Sequence, residues 1–164
     1  MPCGDVTDIL TIAVDSQGVV KRYSLRKQTC GGEVGRQALI GKWLHGRPVE
    51  EVLATPSGDF VKSHPNVSGT WEYLLLKHFL AVQSGLAVAL GRQPGGVSEP
   101  CVLESLTFDA EGLELTALIK SDAVTSKIQA CRSCCGTKAS PADGGHAGSQ
   151  QESDPESAGT EREV

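Results

Sequence analysis

Residues 8–25, Asp-Ile-Leu-Thr-Ile-Ala-Val-Asp-Ser-Gln-Gly-Val-Val-Lys-Arg-Tyr-Ser-Leu, predict two strands and the turn between them. Leu10, Ile12 and Val14 alternate with residues that are also largely apolar, which favours a first strand covered on both faces or nearly so. Gly18 is placed to take the positive φ that a tight hairpin needs. Residues 19–25 then return as a second, half-exposed strand, so the pair is antiparallel.

A cysteine motif flanks each end of this hairpin. Pro2-Cys3-Gly4-Asp5-Val6 precedes the first strand, and Thr29-Cys30-Gly31-Gly32 follows the second. An antiparallel pair would bring Cys3, Asp5 and Cys30 to one end of the sheet. Thiolates select iron or zinc, and a carboxylate can complete or loosen the coordination sphere. The sequence therefore predicts a metal site formed by these three residues.

Helical patterns fill the chain after the second motif. We expect a helix over residues 33–45, a short one over 48–54 that begins at Pro48, a loop over 55–67 and a long core helix over 70–90. Trp71 and Phe79 are expected to pack in the core. Since Cys30 would then precede a helix N-terminus, the helix dipole would favour its thiolate.

The last third of the chain combines a second hairpin with a polar tail. Strands are predicted over residues 102–108 and 113–119, and a short helix over 123–130. Cys131, Cys134 and Cys135 follow this helix. Residues 139–164 have six acidic side chains, one basic side chain and no large apolar residue, which predicts disorder.

Charge and length exclude several classes of protein. The net charge of the 164-residue chain is −5, and residues 139–164 account for all of it. The remainder is near neutral without a basic patch, which argues against nucleic acid as a partner. No signal-like leader or stretch of about 18 apolar residues occurs, so we expect a cytoplasmic protein without a membrane partner. The six cysteines are then metal ligands, redox groups or buried thiols rather than disulfides.

The order of the motifs resembles the iron–sulfur cluster scaffold proteins of the NifU/IscU type. That order is Pro-x-Cys-Gly-Asp-Val before a strand, a hairpin, Thr29-Cys30-Gly31 and then Trp-Leu-His-Gly-Arg-Pro-Val-Glu-Glu over residues 43–51. The resemblance covers residues 1–90 and divides the chain into that scaffold domain, a linker with a hairpin extension (91–120), a cysteine-rich segment (121–138) and the acidic tail (139–164).

This resemblance implies an α+β fold in which helices pack on one side of a small antiparallel sheet. It implies a binding protein rather than an enzyme, which holds iron or a nascent iron–sulfur cluster at the edge of the sheet. Cys3 and Cys30 match the first two cysteine ligands, and Asp5 matches the aspartate that keeps the cluster transferable. A cysteine desulfurase and apo-protein acceptors are the implied partners.

The chain departs from the family pattern at two places. Pro65 stands where the third cysteine, the expected sulfur acceptor, would follow Lys62-Ser63-His64, and the usual helical segment before the first cysteine is missing. His64 or the pair Cys131-x-x-Cys134 offers replacement ligands. Two alternatives therefore remain, namely a degenerate interaction module without metal and a structural zinc protein closed by Cys3, Cys30, His64 and a tail cysteine.

Other candidate residues are expected to be structural. His45 lies at a predicted helix end and His78 inside the long helix, and Cys101 is expected to be a buried thiol. Glu50 and Glu51 occupy adjacent helix positions and point in different directions, which suits interaction with the helix dipole rather than a catalytic pair.

Overall fold

A five-stranded antiparallel sheet forms the centre of the fold. The computed structural model describes residues 7–29, 32–34, 38–96, 99–120, 122, 124–126 and 128. The strand order is β3-β2-β1-β5-β4. The elements in chain order are β1 (Thr7–Asp15), β2 (Val20–Thr29), β3 (Gly32–Val34), α1 (Gly41–Leu44), α2 (Val49–Ala54), α3 (Ser57–Lys62), α4 (Thr70–Ala89), β4 (Cys101–Phe108) and β5 (Gly112–Lys120).

Strand β1 buries one face and leaves the other half-exposed. Every second residue of the strand is buried, and Leu10 and Ile12 have no exposed surface. The predicted coverage of both faces, or nearly so, is complete on one face and partial on the other. The described helices pack on the buried face, where Leu10 lies beside Gly85 of α4. The α+β class with helices on one side of a small antiparallel sheet is confirmed.

The helical layer is anchored by a cluster of aromatic rings. Phe60 of α3 stacks on Phe79 of α4 with 4.2 Å between ring centroids. The Trp43 ring of α1 meets both edge-on, at 5.0 and 5.5 Å. Such contacts stabilise beyond the apolar area that they bury. Phe79 is a core residue as predicted, whereas Trp71 is 49% exposed and its expected place in the core is wrong.

The predicted helix over residues 33–45 begins only at Gly41. Residues 32–34 instead pair with residues 27–29 as strand β3. The Tyr23 hydroxyl accepts a hydrogen bond from the Ile40 backbone N–H at 2.6 Å, which holds the turn that precedes α1. The helix that was expected to favour the Cys30 thiolate is thus absent from residues 32–34.

The predicted loop over residues 55–67 contains helix α3. Pro56 lies at its N-cap, and Phe60 anchors it because the Phe60 side chain is fully buried. Helix α4 agrees with the prediction to within one residue. In the part of the chain that the structure describes, no helix is long and apolar enough to cross a lipid bilayer.

The second hairpin was predicted as an extension and is an integral part of the sheet. Strand β5 pairs with β1 along its whole length, so β1 has a neighbour on both sides. Leu115, Ala117 and Ile119 are fully buried on the helix side. Val124 and Ile128, in the predicted helix over 123–130, are also buried. The cysteines at 131, 134 and 135 and the acidic tail lie outside the described residues.

Gly112→Ala should destabilise the protein by about 2 kcal/mol because two costs coincide. Gly112 has φ +143°, which L-residues rarely adopt, and a Cβ there would overlap the Val14 carbonyl oxygen. Gly58→Ala is the control, since a Cβ at Gly58 meets nothing within 4 Å and Ala favours a helix. Urea denaturation measures both, and equal stabilities of the two variants would contradict the prediction.

Candidate metal site

The beginning of β1 and the end of β2, which adjoin the two cysteine motifs in the sequence, lie at the same end of the sheet. Thr7 opens β1 opposite Gln28, next to the end of β2 at Thr29. Thr7 follows Asp5 by two residues, and Thr29 immediately precedes Cys30. The predicted antiparallel hairpin between the motifs is confirmed. Cys3, Asp5 and Cys30 themselves lie outside the described residues, so their convergence on a metal remains a prediction.

The opposite turn of this hairpin is held by a side chain. The Asp15 carboxylate accepts hydrogen bonds from the backbone N–H groups of Gln17 and Val19, at 3.0 and 2.9 Å. Gly18 adopts φ +76°, as the turn prediction requires. This turn fixes the register of β1 against β2, and that register determines which residues face each other at the far end.

His64 lies just beyond α3, with one ring nitrogen engaged. Its Nδ1 is 2.9 Å from the Phe60 carbonyl oxygen and 3.1 Å from the Ser63 Oγ. Because a carbonyl only accepts, a neutral His64 that bonds Phe60 carries its proton on Nδ1 and has a free lone pair on Nε2. A histidine that binds a metal through one ring nitrogen typically donates the N–H of the other to a carbonyl in this way.

Within the described ranges, no group of three or more His, Cys, Asp or Glu residues could hold a metal ion. His64 therefore has no set of co-ligands among these residues, and its metal-binding role remains a prediction. Pro65, which follows it, is exposed.

Two buried polar contacts were missed by the sequence analysis, and the first of them lies at this end of the sheet. Asp8 is only 2% exposed, and its carboxylate lies 2.6 Å from the Lys77 Nζ of α4. The burial of Asp8 could have been predicted, since Asp8 shares the inward face of β1 with Leu10, Ile12 and Val14. The ion pair joins the beginning of β1 to the first half of α4.

The second contact is a hydrogen bond between Tyr23 and His78. The Tyr23 hydroxyl lies 3.1 Å from the His78 Nδ1, and both side chains are buried. The hydroxyl also accepts the Ile40 N–H, and its own proton can be donated to Nδ1 in the tautomer of His78 that carries its proton on Nε2. Burial, helped by the Lys77 charge and opposed by the Asp8 charge, lowers the pKa of His78 to about 4. Burial also raises the pKa of Tyr23.

The remaining candidates have structural roles. Cys101 is 2% exposed, which confirms the predicted buried thiol. His45 Nδ1 contacts the Lys21 carbonyl oxygen at 2.8 Å. Glu50 pairs with Arg92 and Glu51 with Arg47, so the two carboxylates do not converge on a shared site.

Comparison of the chain with protein-family models, curated proteins and solved structures found no match. The resemblance to NifU/IscU-type scaffolds therefore remains a prediction from the motifs in residues 1–90.

Stability should fall as the pH is lowered from about 6.5 toward 4, because the unfolded chain takes up a proton at His78 that the folded protein excludes. His78→Asn is the matched variant, since its amide oxygen accepts from Tyr23 but does not titrate. Between pH 7 and 5 the wild type should lose roughly 1–2 kcal/mol more than His78→Asn in urea denaturation. Parallel pH profiles of the two proteins would disprove this role of His78.

Proposed function

We propose that the protein is an iron–sulfur cluster scaffold or carrier that binds iron or a nascent cluster through Cys3, Asp5 and Cys30. It acts as a binding protein rather than an enzyme. We also propose a cytoplasmic location, where thiols stay reduced and available as ligands.

The observation that supports this function most is the register of β1 and β2. Thr7 lies opposite Gln28, next to Thr29, so the two motifs continue from neighbouring strands at one end of the sheet. This is the arrangement that the motif order requires if Cys3, Asp5 and Cys30 act together. The α+β fold with helices on one side is also the fold that the resemblance implies.

The proposed ligand set suits transfer as well as binding. Two thiolates provide the soft ligands that iron–sulfur clusters favour, and the Asp5 carboxylate is a harder and weaker ligand for iron in a cluster. His64 supplies a nitrogen ligand through Nε2, oriented by its contact with the Phe60 carbonyl oxygen. Since Pro65 replaces the sulfur acceptor, we favour a carrier that receives a cluster over a scaffold that assembles one.

The partners follow from this chemistry. An acceptor must be an apo-protein with free cysteine ligands, since only such a protein can take the cluster by ligand exchange. A cysteine desulfurase is the sulfur donor if assembly takes place on this protein, and a loaded scaffold is the donor if it acts only as a carrier.

The decisive experiment is the iron and acid-labile sulfide content and the visible spectrum of protein purified without oxygen. Iron with sulfide and thiolate-to-iron absorption is expected for the wild type, and Cys30→Ser should lose at least about 90% of it, because that substitution removes a thiolate ligand. Cys101→Ala is the control, since it removes a thiol buried in β4 and should retain the chromophore.

The other outcomes separate the alternatives. Zinc without iron, with unfolding on chelation, would indicate a structural zinc site, because metal binding then supplies folding free energy. Absence of any metal, with Cys30→Ser indistinguishable from wild type, would indicate an interaction module and would refute the carrier proposal.

His64→Asn tests the nitrogen ligand separately from the end of α3. The Asn amide can donate to the Phe60 carbonyl as Nδ1 does, yet it has no counterpart of Nε2. We expect His64→Asn to keep the wild-type unfolding midpoint and to lose its cluster to a chelator several-fold faster. Cluster loss at the wild-type rate would exclude His64 from the ligand set.

A further inference from the structure

A cleft lies at the end of the sheet opposite the candidate metal site. It has a volume of about 520 Å³ and is bounded by the β1–β2 turn, the start of α2, the end of α4 and the β4–β5 turn. This volume is within the range of protein binding sites, about 300–1,000 Å³. Asp15, at its rim, is separated from Thr7 by the length of β1, about 26 Å.

The walls of the cleft expose apolar side chains. Among the described residues, the large hydrophobic side chains with substantial exposure are Trp71, Leu90 and Phe108. Two of them, Leu90 (45% exposed) and Phe108 (69% exposed), line this cleft together with Val14 and Leu86. Exposed apolar residues that meet in one concave place mark interaction sites more than scattered ones do.

Hydrogen bonds to the backbone hold two walls of the cleft in place. The Val49 N–H donates to the Gly18 carbonyl oxygen at 2.9 Å, which joins α2 to the β1–β2 turn. The Asp109 carboxylate accepts the N–H groups of Glu111 and Gly112 and so closes the β4–β5 turn.

The end of α4 is fixed by a Schellman-type cap. Gly91 adopts φ +67°, and the Arg92 N–H donates to the Ala87 carbonyl oxygen at 2.8 Å. Leu90 is therefore held at the cleft by the backbone. Because these walls are already ordered before binding, little conformational entropy of the cleft is lost when a partner binds, which favours affinity.

The charged residues that line the cleft are all acidic. They are Asp15, Glu50 and Asp109, and no Lys, Arg or His residue of the described chain belongs to the lining. Lys21 pairs with Asp15 and Arg92 with Glu50, both from outside the lining. Among the described contacts Asp109 accepts only backbone N–H groups, so it is the lining carboxylate that is open to a partner's cation. The Lys21 hydrogen bond lowers the pKa of Asp15, so this carboxylate is ionised at neutral pH.

We propose that this cleft binds a partner protein through a short segment in which large apolar side chains are flanked by Lys or Arg. The apolar side chains fill the space between Leu90 and Phe108. The flanking cations meet Asp109 and compete with Lys21 and Arg92 for Asp15 and Glu50. The complementary charges would speed association and exclude acidic segments. The apolar walls of the cleft are open to solvent, whereas a site for a small ligand usually encloses most of the ligand. A protein segment therefore suits this cleft better than a small ligand does.

The test uses synthetic peptides and the full chain, observed by backbone amide NMR titration. The peptide acetyl-KKLFKK-amide should shift resonances of residues around the cleft. Acetyl-EELFEE-amide and acetyl-KKSSKK-amide should each bind at least about tenfold more weakly, because one reverses the charge and the other removes the apolar anchor.

Matched variants assign the binding to the cleft. The double variant Leu90→Ser with Phe108→Ser should reduce affinity for acetyl-KKLFKK-amide at least about tenfold, as both anchors are lost. Trp71→Ser removes an exposed aromatic side chain elsewhere and should leave the affinity unchanged. Both substituted positions are exposed, and the unfolding midpoint of the double variant verifies its fold.

Three results would overturn the proposal. These are equal binding of the acidic peptide, unchanged affinity of the Leu90→Ser, Phe108→Ser variant, and concentration-dependent dimerisation that this variant abolishes. The last would identify a second copy of the chain as the occupant instead. None of these measurements depends on a bound metal, so the inference stands apart from the proposed carrier function.

Discussion

The structure depends on β1 being paired on both edges while only one of its faces is buried. Leu10 and Ile12 of this strand are completely shielded from water. Helix α4 can approach them closely because Gly85 has no side chain at the point where a Cβ would meet the Leu10 side chain. The β1–β2 hairpin, the β5 pairing and the helical layer all take their positions from this strand.

The same buried face contains the polar contacts that specify how α4 lies on the sheet. Apolar packing alone tolerates small shifts of a helix along a strand, whereas a hydrogen bond or ion pair does not. Asp8–Lys77 and Tyr23–His78 fix two consecutive residues of α4 to two different strands. An unpaired partner of either contact would be costly at such burial. Asp8 lies at the end of the sheet where the candidate metal site is proposed, whereas Tyr23 pairs with Ile12 in the middle of β1.

Local periodicity was sufficient to predict the elements that are long or regular. The first hairpin, α4 and the second hairpin all lie close to their predicted positions. Errors arose at β3 and α3. Residues 32–34 pair with residues 27–29, which lie only a few positions earlier in the chain, and α3 forms where Phe60 can stack on the distant Phe79.

The burial of side chains was harder to predict than the elements themselves. Trp43 and Trp71 both lie in helical patterns, yet Trp43 meets the aromatic cluster whereas Trp71 is 49% exposed, and no local signal separates them. Of the candidate site, the sequence supplied the motifs and the hairpin that connects them. The inward position of Asp8 could have been predicted from its phase with Leu10, whereas the pairing of His78 with Tyr23 depends on how α4 lies against the sheet.

The two proposed sites lie at opposite ends of one rigid strand, and this separation limits how they can cooperate. A partner held at the acidic cleft would leave the Thr7 end of β1 uncovered, so a cluster there would remain accessible to an acceptor. Strand β1 is paired on both sides and packed against α4, so coupling between the two sites through it would require a second arrangement of these contacts. If both proposals hold, the cleft acts by recruitment, which raises the local concentration of a partner beside the cluster. Tight docking and a transferable cluster then become compatible, since they involve different residues.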